Sequence, residues 1–459
     1  MRLCLATHHD SWDRGISILS RVSSSGDSSI SADTVRDTIQ SLYHIFTGHE
    51  ADKKFEDIPT MIMRLPDSVR SQFLTHTFPR MCVDIATELP TIFKDGTVPC
   101  LSQQRAGTIH FTPREAYILV ASSFMCIPFM SEDGEIPLSH STCHLFFINR
   151  PRLCAKLHCL INYFNLIVAS QSGAIGASIA SQILGNNRRI EIERLVSDKT
   201  HGAEWWMAST ALLREIDYKP SFQRIESAND AVQADFANKH LGGGVLRRGC
   251  VQEEIRFIIS PECLLSVFLC EKMASNEAVL IKNTLMFSDY TGYSSSFTCT
   301  GFSKPLVSLF EGNSSELLLD DIVAIDAIPF GPDKNDQYSL LPIVRELEKC
   351  RAGLGYAEKK PFATGNWGCG VFGGDSELKA VIQWLAATVS DKSMIYFPFD
   401  DRRTARLPEL VQVCTRSTNV HVGTLFSALV KGLIDSKIKE GTTIDFLIGE
   451  MTETQGNLS

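Results

Sequence analysis

The stretch Leu241–Phe257 (LGGGVLRRGCVQEEIRF) constrains this chain more than any other. Gly242, Gly243 and Gly244 stand in a row. Backbone without a Cβ reaches left-handed or extended angles closed to other residues, so main chain can touch a ligand directly there. After a short spacer, Gln252, Glu253 and Glu254 open a segment of helical character, with two carboxylates in or near its first turn. Upstream, Val232–Asn238 (VQADFAN) alternates as a short strand does and is expected to bring Asp235 and Asn238 to the same mouth. A glycine loop opening a helix suits an anion such as pyrophosphate. Paired glutamates repel an anion and suit proton transfer. Together they point to a phosphate-bearing ligand with acid–base chemistry beside it.

Each feature also has a plainer reading. Acidic residues favour helix N-termini through the dipole alone, and Asn is common at strand ends for turn reasons. A second glycine-dense block, Ala363–Asp375 (ATGNWGCGVFGGD), precedes a helical run at Ser376–Val389. Its successive N–H groups can form an anion-binding nest without a lysine, or the block is a surface loop. No Gly-Lys-Ser/Thr follows, so it is not a phosphate loop of the nucleotide-triphosphatase type. A third block, Asp289–Tyr293 (DYTGY), offers Tyr290 and Tyr293, and aromatic residues at strand ends are more often core than ligand wall.

In chain order, residues 1–30 end in the serine-rich VSSSGDSS and are expected to be a mobile leader. Helical periodicity starts at Ser31, with Val35, Ile39, Leu42 and Ile45 on one face. Further helices are expected at Asp67–Phe78, Val83–Phe93, Pro113–Phe129 and Lys156–Val168, the third opened by a Thr112 cap and Pro113. Residues 31–190 thus form a mostly helical accessory region. From 191 to 450, short apolar runs (Ala278–Lys282, Asp321–Ile328, Met394–Phe399) alternate with helical runs (Leu341–Cys350, Ser376–Val389), the pattern of an α/β domain around a layered sheet. A last helix is expected from Thr424 to about Lys437, and residues 451–459 as a frayed tail.

At 459 residues the chain is long enough for two domains or one elaborated one. The longest apolar stretch, Tyr117–Met130, is broken by Ser122, Ser123 and Pro128 and is too short to span a bilayer. No membrane segment and no secretory signal are expected. The 14 cysteines show no CxxC pair, as expected of buried thiols in a reducing compartment. A net charge of −9 means that any polyanion must be recognised locally, in a shaped pocket. His140, Cys143, His144, Cys154, His158 and Cys159 crowd together, but their spacing matches no closed zinc motif, so helix packing is expected rather than a metal.

Three glycines, a spacer and Gln-Glu-Glu, then DYTGY, then ATGNWGCGVFGGD, in that order, resemble the poly(ADP-ribose) glycohydrolases. The three blocks cover the core of roughly half the chain. The resemblance implies a macrodomain, a three-layer α/β/α sandwich, with an N-terminal helical accessory region that FTPREAYILVASSF fits. It implies hydrolysis of ribose–ribose O-glycosidic bonds. Glu254 is then the catalytic acid and Glu253 a substrate-positioning neighbour, with Asp235 and Asn238 setting the loop and the distal ribose. Gly242, Gly243, Gly244 and Gln252 would contact substrate; Asn366, Gly370, Val371, Phe372 and Gly373 would form the diphosphate loop. Tyr293 would stack on adenine, Tyr290 and Phe399 would complete that wall, and Glu226 of Ile225-Glu226 would read the adenine edge. The expected partners are poly(ADP-ribose) and poly(ADP-ribosyl)ated proteins. No cofactor, no sequence-specific nucleic-acid binding, a monomer, and a nuclear and/or cytoplasmic location are expected. Two other classes stay open: a non-catalytic ADP-ribose reader, and a hydrolase of protein-linked mono-ADP-ribose.

Overall fold

The computed structural model describes residues 2–5, 11–23, 29–50, 53–130, 146–185, 187–331, 334–356, 358–416 and 420–456. A mixed eight-stranded sheet organises it. In chain order its strands are β1 (Gly107–Phe111), β2 (Ile190–Val196), β3 (Ile216–Tyr218), β4 (Val232–Ala237), β5 (Glu277–Thr284), β6 (Asp320–Asp326), β7 (Phe362–Gly365) and β8 (Met394–Phe397). Their spatial order is β1-β2-β5-β6-β4-β7-β8-β3. The first four pair antiparallel, and from β6 to β3 the pairing is parallel. The four residues Val232–Asp235 are all buried, as in a strand covered on both faces.

Both faces of the sheet are covered by helices. One side carries α1 (Pro151–Gln171) and α2 (Gln252–Ile259). The other carries α3 (Leu340–Gly353) and α4 (Ser376–Val389), with Ile343, Leu347, Leu378, Val381 and Leu385 in one apolar cluster. The result is a three-layer α/β/α arrangement, as the resemblance implied. Helix α1 is long and apolar enough to cross a membrane, yet almost all of it is buried in the protein core.

Local chemistry explains the helix starts. The Thr112 hydroxyl accepts the Glu115 N–H at 3.1 Å, and the Glu115 carboxylate accepts the Thr112 N–H at 2.6 Å, with Pro113 at the first helical position. Ser31 caps Ala32–Thr47 through the Thr34 N–H at 3.0 Å.

Three expectations change. The leader is not without structure: Arg2–Leu5 pairs with Thr97–Pro99 and Phe129–Met130, and Trp12–Ser23 is a helix. Trp12, Leu19 and Val22 are buried, and Trp12 meets Phe46 at 6.2 Å between ring centroids. Their spacing of three to seven puts them on one helix face, a signal that the neighbouring serine run obscured. Residues 24–28 of that run lie outside the described residues. At the other end, two helices stand where one and a tail were expected. They are Val422–Ile434 and Thr443–Gly456, and the second buries Ile444, Leu447 and Met451. Lastly, the helical region and the sheet share one core: β1, from within residues 31–190, is an edge strand of the sheet. A single apolar cluster runs from Leu3 to Ala324.

Candidate active site

The carboxyl ends of β4, β6, β7 and β8 open onto a cavity of about 570 Å³. Such a crevice at the ends of parallel strands is where open α/β sheets bind ligands. Phe236, Ala237 and Asn238 enter it from β4, Ala327 from β6, Asn366 from β7, and Phe397 and Phe399 from β8. Arg224–Glu226, Gly243, Gly244, Gln252–Glu254, Tyr290, Tyr293 and Gly370–Phe372 complete most of its wall.

The two glycine blocks do different things. In the first, the N–H groups of Gly242 and Gly244 turn inward to hold the protein's own carboxylates, while that of Gly243 donates to His240 C=O at 3.2 Å. Glu253 accepts from Gly242 N–H at 2.7 Å and Asn238 N–H at 3.0 Å. Glu254 accepts from Gly244 N–H at 2.8 Å and Val251 N–H at 2.7 Å. Gly243, at φ +49°, lies between them: a Cβ there would stand 2.6 Å from Glu253 Oε2 and 2.7 Å from Glu254 Oε1. Glycine is therefore required by space as well as by backbone angle. The block presents two glutamates to the cavity and leaves phosphate to be held elsewhere.

The second block has that capacity. A turn closed by Gly373 N–H to Gly370 C=O at 3.0 Å leaves the N–H groups of Gly370, Val371 and Phe372 with no protein acceptor among the described residues. Such a run of free amides makes an anion nest. The N-terminus of α4 behind it is already filled, because Asp375 caps it through Glu377 N–H and Leu378 N–H at 2.8 and 3.0 Å. The loop, not the helix end, faces the cavity. Asn366 holds the loop in place, donating to Pro398 C=O and accepting from the Tyr396 hydroxyl, each at 2.8 Å.

Gln252 has a structural task. β4 pairs with β7 only at Val232 and Gln233. Beyond that, the Gln252 carboxamide takes the vacant ladder positions, accepting from Phe236 N–H at 2.8 Å and donating to Ala234 C=O at 3.0 Å. It ties the start of α2 to the strand. The Tyr293 hydroxyl in turn accepts the Gln252 N–H at 3.1 Å, so the covering hairpin Ser288–Phe302 is anchored to the same helix start. Tyr293 and Phe399 flank the mouth with ring centroids 5.8 Å apart. Phe399 holds a left-handed φ of 50°, unusual for an aromatic residue and confined here to the turn that swings its ring over the cavity. Tyr290 is buried; its hydroxyl donates to Glu226 at 3.3 Å, and the Arg224 guanidinium lies 4.2 Å over its ring.

Asp235 is not at the mouth. It is fully buried beneath the cavity, and among the described residues neither carboxylate oxygen has a hydrogen-bond partner. Positions 235 and 238 differ by an odd number, so a strand sends their side chains to opposite faces. Asn238 does line the cavity, and its side chain also shapes the turn by accepting the His240 N–H at 3.0 Å. Burial first, then repulsion from Glu254, pushes the Asp235 carboxyl well above the usual carboxylate range, against a smaller pull from Arg256. Glu253 is pushed the same way by burial, then by Asp235 and Glu254, while its two N–H donors pull it back. Burial thus favours the protonated form of Asp235 and of Glu253 in the folded chain.

That has a stability consequence. Unfolded, Asp235 ionises near pH 4; folded, it keeps its proton to higher pH. Its contribution to stability is complete below about pH 4 and is lost as pH rises through the folded value. Asp235→Asn should therefore gain melting temperature relative to the wild-type chain as pH rises from 4 to 8. Melting curves with a pH-independent gap would show that this carboxyl titrates normally.

The sequence reading did not single out Arg224, Phe236, His240, Trp367, Asp401 or Arg403, all in the cavity wall. Arg224 adjoins the Ile225-Glu226 pair and Asp401 follows Phe399 closely, but only the fold brings these segments together. Of the His/Cys cluster, His140, Cys143 and His144 lie outside the described residues. Cys154, His158 and Cys159 sit on α1, and among the described residues no group of three or more such side chains is arranged to hold a metal.

Comparison with known proteins bears on the fold and the family. A family model described as "Poly (ADP-ribose) glycohydrolase (PARG), Macro domain fold" matches residues 203–406, and one described as the helical domain of the same family matches residues 65–178. Poly(ADP-ribose) glycohydrolase 1 of Caenorhabditis elegans is 36% identical over 242 residues, covering 50% of this chain and 31% of that protein. Poly(ADP-ribose) glycohydrolase 2 of the same animal is 34% identical over 244 residues, 50% of each chain. Poly(ADP-ribose) glycohydrolase 1 of Arabidopsis thaliana is 29% identical over 380 residues, 65% of each. The matched segment thus spans no more than half the length of either C. elegans relative. Macro-fold and helical matches together take in well over half of this sequence, and the chain belongs to the poly(ADP-ribose) glycohydrolase family.

Proposed function

We propose that the chain hydrolyses the ribose–ribose O-glycosidic bond of poly(ADP-ribose) and releases ADP-ribose. One observation carries the reading: a pair of buried, N–H-bonded glutamates shares a single cavity with an unfilled amide nest and an aromatic mouth. A diphosphate in the nest and an adenine against Tyr293 and Phe399 would leave the distal ribose at the glutamate end. In the complex, where the substrate diphosphate adds negative charge beside it, a protonated Glu254 gives its proton to the departing ribose oxygen as the glycosidic C–O bond breaks and the anomeric carbon gains oxocarbenium character. The diphosphate charge stabilises that cation. The resulting carboxylate takes a proton from water as its oxygen bonds the anomeric carbon, which restores Glu254. One carboxyl serves as acid and then base, unlike the two-carboxylate arrangement of most glycosidases.

Poly(ADP-ribose) and proteins carrying it are the partners this reading names. A nuclear and/or cytoplasmic setting suits the thirteen cysteines that are free among the described residues. The test is to incubate the purified chain with labelled poly(ADP-ribose) and identify the products, with and without a chelator. Free ADP-ribose in both arms is expected, because the proton is carried by a carboxyl. Loss of product with chelator, restored by zinc or magnesium, would overturn the mechanism, and binding without any product would favour a reader.

A further inference from the structure

We infer that Lys156, on helix α1 of the helical region, is a positioning residue for the catalytic glutamate, and that through it the helical region governs turnover. This rests on the hydrolase reading above. Lys156 is fully buried, and its Nζ donates to three main-chain carbonyls: Gly249 at 2.7 Å, Arg247 at 2.9 Å and Gly244 at 3.4 Å. All three belong to the connection running from the last of the three glycines to Gln252. That connection closes on itself through Gly249 N–H and Arg247 N–H, both to Gly244 C=O, at 3.1 and 2.9 Å. Three carbonyl dipoles converging on one point repel one another, and a buried ammonium turns that repulsion into attraction.

The connection also touches Glu254. Gly244 presents its C=O to Lys156 and its N–H to Glu254 Oε1. Gly249 approaches so closely that a Cβ on it would stand 2.4 Å from the same oxygen. A shift of the connection by a fraction of an ångström therefore moves the carboxyl or breaks its hydrogen bond, and misplacement on that scale is costly to catalysis. The amide nest and the rings of Tyr293 and Phe399 lie on other segments, so ligand binding depends on this contact less than the position of the Glu254 carboxyl does.

The experiment uses the full chain with Lys156→Met, which keeps length and removes charge, and Lys156→Gln, which keeps two donors. Turnover of poly(ADP-ribose), KM, ADP-ribose affinity by calorimetry, and amide hydrogen exchange across residues 242–251 are measured. The expected result for Lys156→Met is a turnover at least tenfold lower, with KM and ADP-ribose affinity within about threefold of wild type. Lys156→Gln should fall between the two, and exchange at 242–251 should quicken in both variants while the rest of the chain is unchanged. Wild-type turnover in Lys156→Met, or kcat and affinity falling in parallel, would overturn the inference. If Lys156→Met does not fold, Lys156→Gln carries the same test. A wild-type chain that binds ADP-ribose but releases none from the polymer would sink the hydrolase reading instead, and the exchange data would still report whether Lys156 holds the connection.

Discussion

Glu254→Gln should lower turnover of poly(ADP-ribose) by a factor on the order of a hundred or more, the usual worth of a general acid–base group. Gln cannot exchange a proton at neutral pH, but its carbonyl still accepts one of the two N–H bonds that now come from Gly244 and Val251. ADP-ribose affinity should therefore change little, since the nest and the aromatic mouth are untouched. Glu253→Gln should retain more activity, because Glu253 sets the loop through Asn238 and Gly242. The contacts of Glu254 also fit a plain helix cap, in which the third helical residue bonds back to the residue before the helix. Near wild-type turnover in Glu254→Gln, with ADP-ribose still bound, would leave Glu254 as that cap and defeat the mechanism.

Val371→Pro should do the reverse and weaken ADP-ribose binding by about 1.5–3 kcal/mol, the scale of one hydrogen bond to a charged group. That corresponds to roughly ten- to hundredfold in the dissociation constant. Proline removes the N–H of Val371 from the nest. It suits the backbone, since position 371 is the second residue of the turn closed by Gly373 N–H to Gly370 C=O, where proline is favoured. Val371 is 80% exposed, so the loss of its side chain costs little packing. Val371→Ala, which keeps the N–H, is the control and should bind like wild type. Equal affinity of the proline and alanine variants in calorimetry would remove the 371 amide from the phosphate site. Together with Glu254→Gln, the pair separates a binding end of the cavity from a reacting end.

Much of this was legible in the sequence because it rests on local rules. Strand–helix alternation after Ile190 implied the layered sheet, since each element must bury one face. The Thr112-Pro113-Arg114-Glu115 start was readable because a cap involves only four residues. The three glycine and aromatic blocks were visible as a set, and the fold gathers residues of all three around one cavity.

What the sequence left undetermined was decided by contacts between distant segments. It marked both glycine blocks as places where backbone meets a ligand. Only the fold shows that the first spends two N–H groups on Glu253 and Glu254 while the second keeps three without a protein acceptor among the described residues. Asp235 sat three residues before Asn238 in a promising motif, yet its burial follows from which strand face meets α2. The gap in the β4 ladder that Gln252 fills exists because β7 diverges from β4. Lys156 stands 88 residues from Gly244 and carries no motif. Composition and periodicity report how each segment buries its own surface. Which donor a given carboxylate or carbonyl finds is a property of segments packed together, and only tertiary structure decides it.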